Sequence, residues 1–155
     1  MELSGCSFCD LDGFRQNSIL VRENDLCLFA SGGEGKGEGE AQDVLLGSGI
    51  IVPKAHRETV FDLSADEFMA TRTLLLEVRP LLDSHYRPDG YTVGWNCFAA
   101  SGQSVPHAHL HVLLRYSDEP HAGKGIRRFL RQPDNRRKDP KAPGSGSTAF
   151  AGCDD

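Results

Sequence analysis

The 155-residue sequence lacks any apolar run that approaches the ~20 residues a transmembrane helix requires. Its first residues, Met-Glu-Leu-Ser-Gly-Cys, show neither the basic region nor the apolar stretch of a secretory signal, and the chain contains no internal repeat. These absences argue against a membrane protein, a secreted protein and a repeat array, and they predict a cytoplasmic, globular protein. The five cysteines are an odd number, which indicates thiols or a metal site rather than a disulfide framework.

Charge is distributed unevenly along the chain. The net charge is −5, but the segment between His121 and Lys141 carries eight basic residues and only two acidic ones. The remainder is acidic, which disfavours general nucleic-acid binding, whereas the basic segment could hold phosphates locally. The amphipathic part of this segment, residues 123–131, is equally typical of a solvated helix.

Short apolar segments surround one long helical pattern. Ser64 and Glu67 match a capping box, which predicts a helix from about Ala65 into the low 80s that Pro80 should kink or end. Strands are predicted at residues 19–21, 26–30, 45–52, 91–98 and 107–116. This order indicates an α+β domain with an antiparallel sheet.

Two segments have compositions typical of irregular chain. The glycine-rich residues 31–43 predict a mobile loop; a phosphate-binding loop is disfavoured because no helix start follows and the acidic residues would repel phosphate. Residues 133–155 are rich in Pro, Gly and Ser, which predicts a disordered tail. We therefore expect one domain at 1–132, including the C-x-x-C segment near its start and a basic extension at 121–132.

Three histidines alternate with apolar residues near the end of the apolar pattern. Side chains at i, i+2 and i+4 of a strand share one face, so His107, His109 and His111 should point one way and the intervening residues into the core. Neutral imidazole can serve as a nucleophile, a general acid or base, or a metal ligand. The alternatives are a strand with one wet face and a histidine-rich metal site, in which at most one or two of the three could bind one ion.

Neutral hydrogen-bond donors lie just before the histidines. Gly102 permits close approach of a ligand to the backbone, while Gln103, Ser104 and Asn96 supply amide and hydroxyl groups. Such donors stabilise a phosphoryl group beside a nucleophilic imidazole without clamping it as a salt.

The segment Ser104-Val-Pro-His-Ala-His-Leu-His-Val-Leu-Leu114 resembles the signature of the histidine-triad (HIT) family. Residues 50–56, Ile-Ile-Val-Pro-Lys-Ala-His, and Gly94-Trp-Asn96 are also similar in sequence and spacing, and the resemblance extends from Cys6 to about Arg115. It implies a HIT-like antiparallel sheet of about five strands, with one long helix and shorter helices packed on it.

The resemblance also implies an activity. Members cleave nucleotides at the α-phosphate, with the middle histidine, His109, as a nucleophile that forms a covalent nucleotidyl intermediate. His111 and Ser104 would donate hydrogen bonds to the phosphate or the leaving group. The implied substrate contacts are Asn96, Gly102, Gln103, His107 and, where relatives bind the ribose with Asp or Asn, Ser31 or else Asp43.

The substrate class and the partners stay open. A dinucleoside polyphosphate such as diadenosine tetraphosphate and a purine nucleoside phosphoramidate both fit, and the basic segment slightly favours the polyphosphate. The alternatives are a nucleotidyl transferase and a nucleotide-binding module with little turnover. The resemblance implies a homodimer, and we expect no membrane and no specific nucleic-acid partner.

The spacing of Cys6 and Cys9, C-x-x-C, indicates either zinc or a redox pair. The thioredoxin-like βαβ pattern that a redox pair needs is missing. In HIT proteins with this pair, the other two ligands resemble His56 and His107. The resemblance therefore implies a closed Cys₂His₂ zinc site with a structural role. No magnesium-binding motif is present.

Overall fold

The computed structural model describes residues 5–32 and 45–139. The chain divides into two compact units, Met1–Gly123 and Lys124–Asp155. Most of the predicted glycine-rich loop, including Asp43, and residues 140–155 of the predicted tail lie outside the described residues. The domain boundary expected at residue 132 stays a prediction.

Five antiparallel strands form one sheet in the first unit, in the order β1-β2-β3-β5-β4. Their bounds are Val21–Glu23 (β1), Cys27–Ser31 (β2), Gly49–Pro53 (β3), Gly90–Trp95 (β4) and Leu110–Arg115 (β5). The α+β class and the five-stranded antiparallel sheet predicted from the sequence are confirmed. In this arrangement β5 lies between β3 and β4, with His111 opposite both Ile50 and Gly94.

The long helix α2 spans Ala65–Tyr86 and covers one face of the sheet. It begins in the predicted capping box: the Ser64 hydroxyl accepts the Glu67 N–H, and the Glu67 carboxylate accepts the Ser64 N–H. Leu74, Val78 and Leu82 are fully buried against the sheet. Since burial of each such side chain stabilises the fold by about 1.5–3 kcal/mol, this packing holds the helix in place.

The helix continues through Pro80 and ends at Tyr86, where Arg87 adopts a left-handed conformation with φ 51°. Of the two effects predicted for Pro80, a kink or an end of the helix, the end is wrong. Pro80 lies on the exposed side, so water can satisfy the carbonyl that loses its N–H partner. Val78 and Leu82, one on each side of it, are fully buried and keep the helix against the sheet.

The opposite face of the sheet carries the N-terminal segment. The opposite side includes a six-residue helix, α1 (Leu11–Gln16). Asp10 caps its N-terminus, and the Asp10 carboxylate accepts the Gly13 N–H. Phe8 and Phe14 pack against alternate residues of β2 and β3, with their ring centroids 5.3 Å apart. Four short 3-10 helices complete the described residues, at Val60–Asp62, Ala99–Ser101, Ile126–Arg131 and Pro133–Asn135.

Within residues 5–32 and 45–139, no helix has both the length and the apolar composition of a membrane span.

Candidate active site and metal centre

The three histidines do not share a wet strand face. Strand β5 begins only at Leu110, so His107 and His109 precede it, and these two side chains are 0% and 5% exposed. The predicted start of this strand at His107 is wrong because the chain leaves the sheet here: the Ala108 N–H donates instead to the Arg57 carbonyl, at 2.6 Å. The histidines therefore stand in a covered site in which each has different neighbours.

Arg57 also links this approach to the start of α2. Its Nε lies 3.0 and 3.1 Å from the two carboxylate oxygens of Glu67, which is 5% exposed. The hydrogen bond from this guanidinium is the main cause that lowers the pKa of Glu67. The same arginine thus holds the histidine segment through its backbone and the helix start through its side chain.

His109 is oriented by its own backbone neighbour. Its Nδ1 lies 2.8 Å from the carbonyl oxygen of His107, and a carbonyl can only accept, so Nδ1 carries the proton. Nε2 of the neutral ring is then left with a free lone pair. The ring packs edge-on against Phe8 and His111, at centroid distances of 5.3 and 4.7 Å. This tautomer and these neighbours suit a nucleophile.

His111 carries an unsatisfied polar atom. Its Nε2 is buried and finds no hydrogen-bond partner among the described residues. A buried polar nitrogen without a partner costs about 1–3 kcal/mol, which a ligand oxygen would offset. Burial, with a smaller contribution from His109, lowers the pKa of His111, so the ring is neutral at pH 7. The ring lines a cavity, and its free nitrogen is available to a bound phosphate.

His107 has different hydrogen-bonding partners from these two histidines. Its Nε2 lies 2.9 Å from the Pro53 carbonyl, and its Nδ1 lies 3.4 and 3.6 Å from the Sγ atoms of Cys6 and Cys9. Both ring nitrogens are thus engaged. These contacts favour the predicted role of His107 as a metal ligand, and its predicted contact with substrate stays a prediction.

The four predicted metal ligands come together from three parts of the chain. One ligand atom from each of Cys6, Cys9, His56 and His107 lies within 4.8 Å of every other. Zinc bound to two thiolates at 2.3 Å and two imidazoles at about 2.0 Å gives tetrahedron edges of roughly 3.5 Å between sulfur and nitrogen. The Cys9 Sγ–His56 Nδ1 distance is 3.3 Å, and the two sulfur distances to His107 are close to the same value. The donor set and its spacing therefore fit a four-coordinate metal.

The loop before the histidines is held by Gln103. Its Oε1 accepts the Phe98 N–H at 2.7 Å, and its Nε2 donates to the Glu58 carbonyl at 2.6 Å. Because each end of the amide binds a backbone group, Gln103 fixes the loop. Gly102 adopts φ +92°, which only glycine tolerates well, and a Cβ there would stand 3.9 Å from Asn96 Nδ2. Ser104 is exposed.

A cavity of about 590 Å³ opens beside His111. Its walls come from the N-terminal segment and from the ends of β2 and β3, and the apolar part includes Phe8, Phe14, Ala30 and Ile50. Ser31 also lines it but is only 1% exposed, and its hydroxyl accepts the Leu20 N–H at 2.9 Å. An apolar pocket with a few polar groups is the usual form of a small-molecule site.

The N-terminal segment forms part of this cavity, which was not predicted from the sequence. Asp10, Gly13, Phe14 and Asn17 all line it from α1 and its flanks. Their spacing of three and four residues is the signal that could have found them, because it places side chains on one face of a helix. The helix is too short for that periodicity to stand out.

Known proteins resemble this chain in sequence and in fold. The family model described as "HIT domain" matches residues 47–118. An uncharacterized HIT-like protein of Mycoplasma genitalium is 27% identical over 123 residues, which cover 79% of this chain and 79% of that protein. Such a relative carries a family name but no established activity.

Solved structures give the same fold. A HIT-family protein from Bacillus subtilis superposes with a TM-score of 0.59 at 22% identity, covering 74% of this chain and 75% of that one. Diadenosine triphosphate hydrolase from Plasmodium falciparum gives 0.54 at 14% identity, covering 64% of this chain and 63% of that one. At these identities the likeness establishes the fold alone. Together with the matched family model, it identifies residues 47–118 as a HIT domain.

Proposed function

We propose that this protein is a nucleotide hydrolase that cleaves its substrate at the α-phosphate through a covalent nucleotidyl-histidine intermediate on His109. Nucleotide binding is the general function of the HIT family, whose domain model matches residues 47–118. The observation that carries the proposal is the pairing of His109 Nδ1 with the His107 carbonyl at 2.8 Å, which leaves Nε2 as a neutral nucleophile.

In the first step His109 Nε2 attacks the α-phosphorus, and the bond from phosphorus to the leaving group breaks with its electron pair. The leaving group is the remaining phosphate chain or an amine, and it takes a proton from the site or from solvent. In the second step water attacks the same phosphorus, the bond from phosphorus to Nε2 breaks, and a nucleoside monophosphate leaves. His111, neutral and with a free Nε2, is placed to donate to a non-bridging phosphate oxygen when that nitrogen bears the ring proton.

The loop donors complete the proposed phosphate site. Asn96 lies next to Gly102, whose positive φ turns the backbone sharply at this point, and Ser104 presents an exposed hydroxyl. We assign Ser104 to the phosphate or the leaving-group atom. Gln103 acts by holding the loop rather than by touching the substrate.

Two substrate classes fit this chemistry: dinucleoside polyphosphates and purine nucleoside phosphoramidates. The fold shared with a diadenosine triphosphate hydrolase supports the first class. The experiment is to measure AMP release from diadenosine tetraphosphate and from an adenosine phosphoramidate, with acid quenching to trap the adenylated protein. Release of AMP with a trapped intermediate supports the proposal. Binding of nucleotide without turnover of either substrate would instead favour a nucleotide-binding module.

We further propose a structural zinc ion at Cys6, Cys9, His56 and His107, because sulfur and nitrogen atoms lie at tetrahedral spacing. When bound, zinc with four protein ligands supplies no open position for water, so its role is to hold structure. The four side chains would join the N-terminal segment to the residue whose carbonyl orients His109.

A homodimer is proposed through the edge of the sheet at β4. This edge strand and α2 border an apolar depression of about 230 Å³, whose wall includes Leu76, Tyr91 and Val93. Leu76 is 52% exposed although it belongs to this apolar surface. Light scattering should therefore report twice the chain mass of 16.9 kDa. The variant L76D should reduce that mass to one chain, whereas F61D, at an exposed apolar residue outside the depression, should not.

A further inference from the structure

We propose that the carboxylate of Asp10 binds the vicinal hydroxyl groups of the substrate's ribose and so makes the enzyme selective for ribonucleotides. The inference rests on the proposed function, since it assigns the sugar-recognising group of the same site. It places this group on the N-terminal segment, outside the matched HIT domain.

Asp10 belongs to the cavity that contains His111. Both residues line the same space of about 590 Å³, and Asp10 reaches it from the first turn of α1. Gly13 makes this position possible, because a Cβ at that residue would stand 2.3 Å from Asp10 Oδ2. A nucleotide with its phosphate at the histidines and its nucleoside in the cavity would thus pass beside this carboxylate.

The polar groups that α1 presents here have acceptor capacity left over. Asp10 Oδ1 accepts the Gly13 N–H, whereas Oδ2 has no hydrogen-bond partner within residues 5–32 and 45–139. Asn17 uses one of its two Nδ2 hydrogens on the Gly13 carbonyl, and Ser18 uses its hydroxyl proton on the Phe14 carbonyl. The oxygens of Asn17 and Ser18 are left as acceptors. The rim thus has more acceptors than donors to offer, which suits a ligand that brings O–H groups.

Ser31 is poorly suited to the same task. Its hydroxyl oxygen already accepts the Leu20 N–H at 2.9 Å, and the side chain is only 1% exposed. It can donate one hydrogen bond but cannot accept from both hydroxyls of a diol. A carboxylate accepts from two adjacent O–H groups at once and does so more strongly than a neutral oxygen.

A vicinal diol fits Asp10 better than a base amine does. The two ribose hydroxyls lie on neighbouring carbons and can donate to the two oxygens of one carboxylate, whereas the exocyclic amine of a base carries both of its N–H donors on one nitrogen. The apolar rings of Phe8 and Phe14 line the same cavity and offer a surface for the flat base. The ribose is therefore assigned to Asp10 and the base to the aromatic wall.

The test compares two substrates in two variants. Adenosine 5′-phosphoramidate and its 2′,3′-dideoxy analogue are offered to the wild-type protein and to D10N. Asparagine caps a helix as well as aspartate does, so this variant keeps α1 and replaces the carboxylate with a neutral amide. The wild-type protein should prefer the ribose substrate at least tenfold in kcat/KM. D10N should bring that ratio close to one.

Asp12 supplies the matched control. It lies on the same short helix, is exposed, forms its ion pair with Arg15 and does not line the cavity. D12N should keep the wild-type preference. A preference that survives in D10N would overturn the inference, as would a D10N defect of equal size on both sugars. A defect that instead follows removal of the adenine amine, measured with the inosine substrate, would also overturn it by assigning Asp10 to the base.

Failure of the proposed function gives a different result. If neither phosphoramidate nor polyphosphate is cleaved, the hydrolase assignment falls, but the sugar preference can still be measured by calorimetry with AMP and 2′,3′-dideoxy-AMP. Tighter binding of AMP by wild type, lost in D10N, would then support Asp10 on its own. Equal binding of the two nucleotides by the wild-type protein would refute it.

Discussion

The backbone carbonyl of His107 lies 2.8 Å from Nδ1 of His109, so the residue that belongs to the metal cluster also fixes the tautomer of the proposed nucleophile. The imidazole of His107 is held at both nitrogens, by the Pro53 carbonyl and by the two cysteine sulfurs. The ring and the carbonyl belong to the same residue, so a ring held in place also restricts the position of the carbonyl oxygen. Stability of the cluster and reactivity of His109 should therefore change together.

Replacing His109 with glycine should remove turnover while leaving nucleotide binding. The variant H109G lacks the nitrogen that forms the covalent bond, so AMP release should fall on the order of 10³-fold or more. The measurement is AMP release together with calorimetric binding of AMP. H85G serves as a surface control, since His85 is exposed near the end of α2. Turnover at wild-type rate in H109G would disprove the nucleophile assignment.

The protein should contain about one equivalent of zinc, and C9S should contain far less. Without the ion, four buried or half-buried ligands lose their common partner, and we expect a fall in Tm of roughly 4–8 °C for a loss of about 2 kcal/mol. Metal analysis and thermal unfolding check this, with C97S as the control because Cys97 lies outside the cluster. A zinc content below a tenth of an equivalent in protein prepared without chelator would contradict the site.

Acid should destabilise the fold through His111. Burial, and to a smaller extent His109, holds its pKa below the ordinary value of 6.5, so the unfolded chain takes up this proton at a higher pH than the folded chain does. The stability is complete above pH 6.5 and is lost as pH falls from there through the folded-state pKa. Urea unfolding at pH 7.5 and pH 5.5 measures the loss. H111N should lose less stability than the wild-type protein over that interval, and an equal loss in both proteins would argue against the assignment.

Removing the side-chain amide of Gln103 should slow catalysis more than it destabilises the fold. The variant Q103A removes the hydrogen bonds to the Phe98 N–H and the Glu58 carbonyl, which fix the shape of the loop locally. We expect kcat/KM to fall about tenfold with little change in Tm. Q16A, at an exposed glutamine of α1, is the control. An unchanged kcat/KM in Q103A would show that the loop keeps its shape without these hydrogen bonds.

The sequence predicted the elements better than it predicted the surroundings of the histidines. Period-two and capping signals located the strands and the start of α2, because both depend on residues close in sequence. The same period-two rule failed at His107, since the hydrogen bond from Ala108 to Arg57 takes the chain off the sheet. That bond joins residues far apart in sequence, and no local pattern announces it.

The metal ligands were foreseen through family resemblance, whereas the polar rim of the cavity was not. Spacing alone gave Cys6 and Cys9, and His56 and His107 followed from the resemblance. Asp10 and Asn17 are the two capping residues of a helix of only six residues. Their position at the cavity depends on how that helix packs on β2 and β3. Packing of this kind is a tertiary property, so the local sequence gives it little weight.

Arg57 forms hydrogen bonds through both its backbone carbonyl and its guanidinium, and these bonds connect two segments that are distant in sequence. We therefore expect the two segments to unfold locally as one unit. Its carbonyl binds the Ala108 N–H, its guanidinium binds Glu67, and the first turn of α2 contains the bond from the Phe68 N–H to the Ser64 carbonyl. Any fluctuation that releases the helix start should also release the segment next to the nucleophile. In native-state hydrogen exchange the amides of Ala108 and Phe68 should therefore become labile together, with a common free energy of opening.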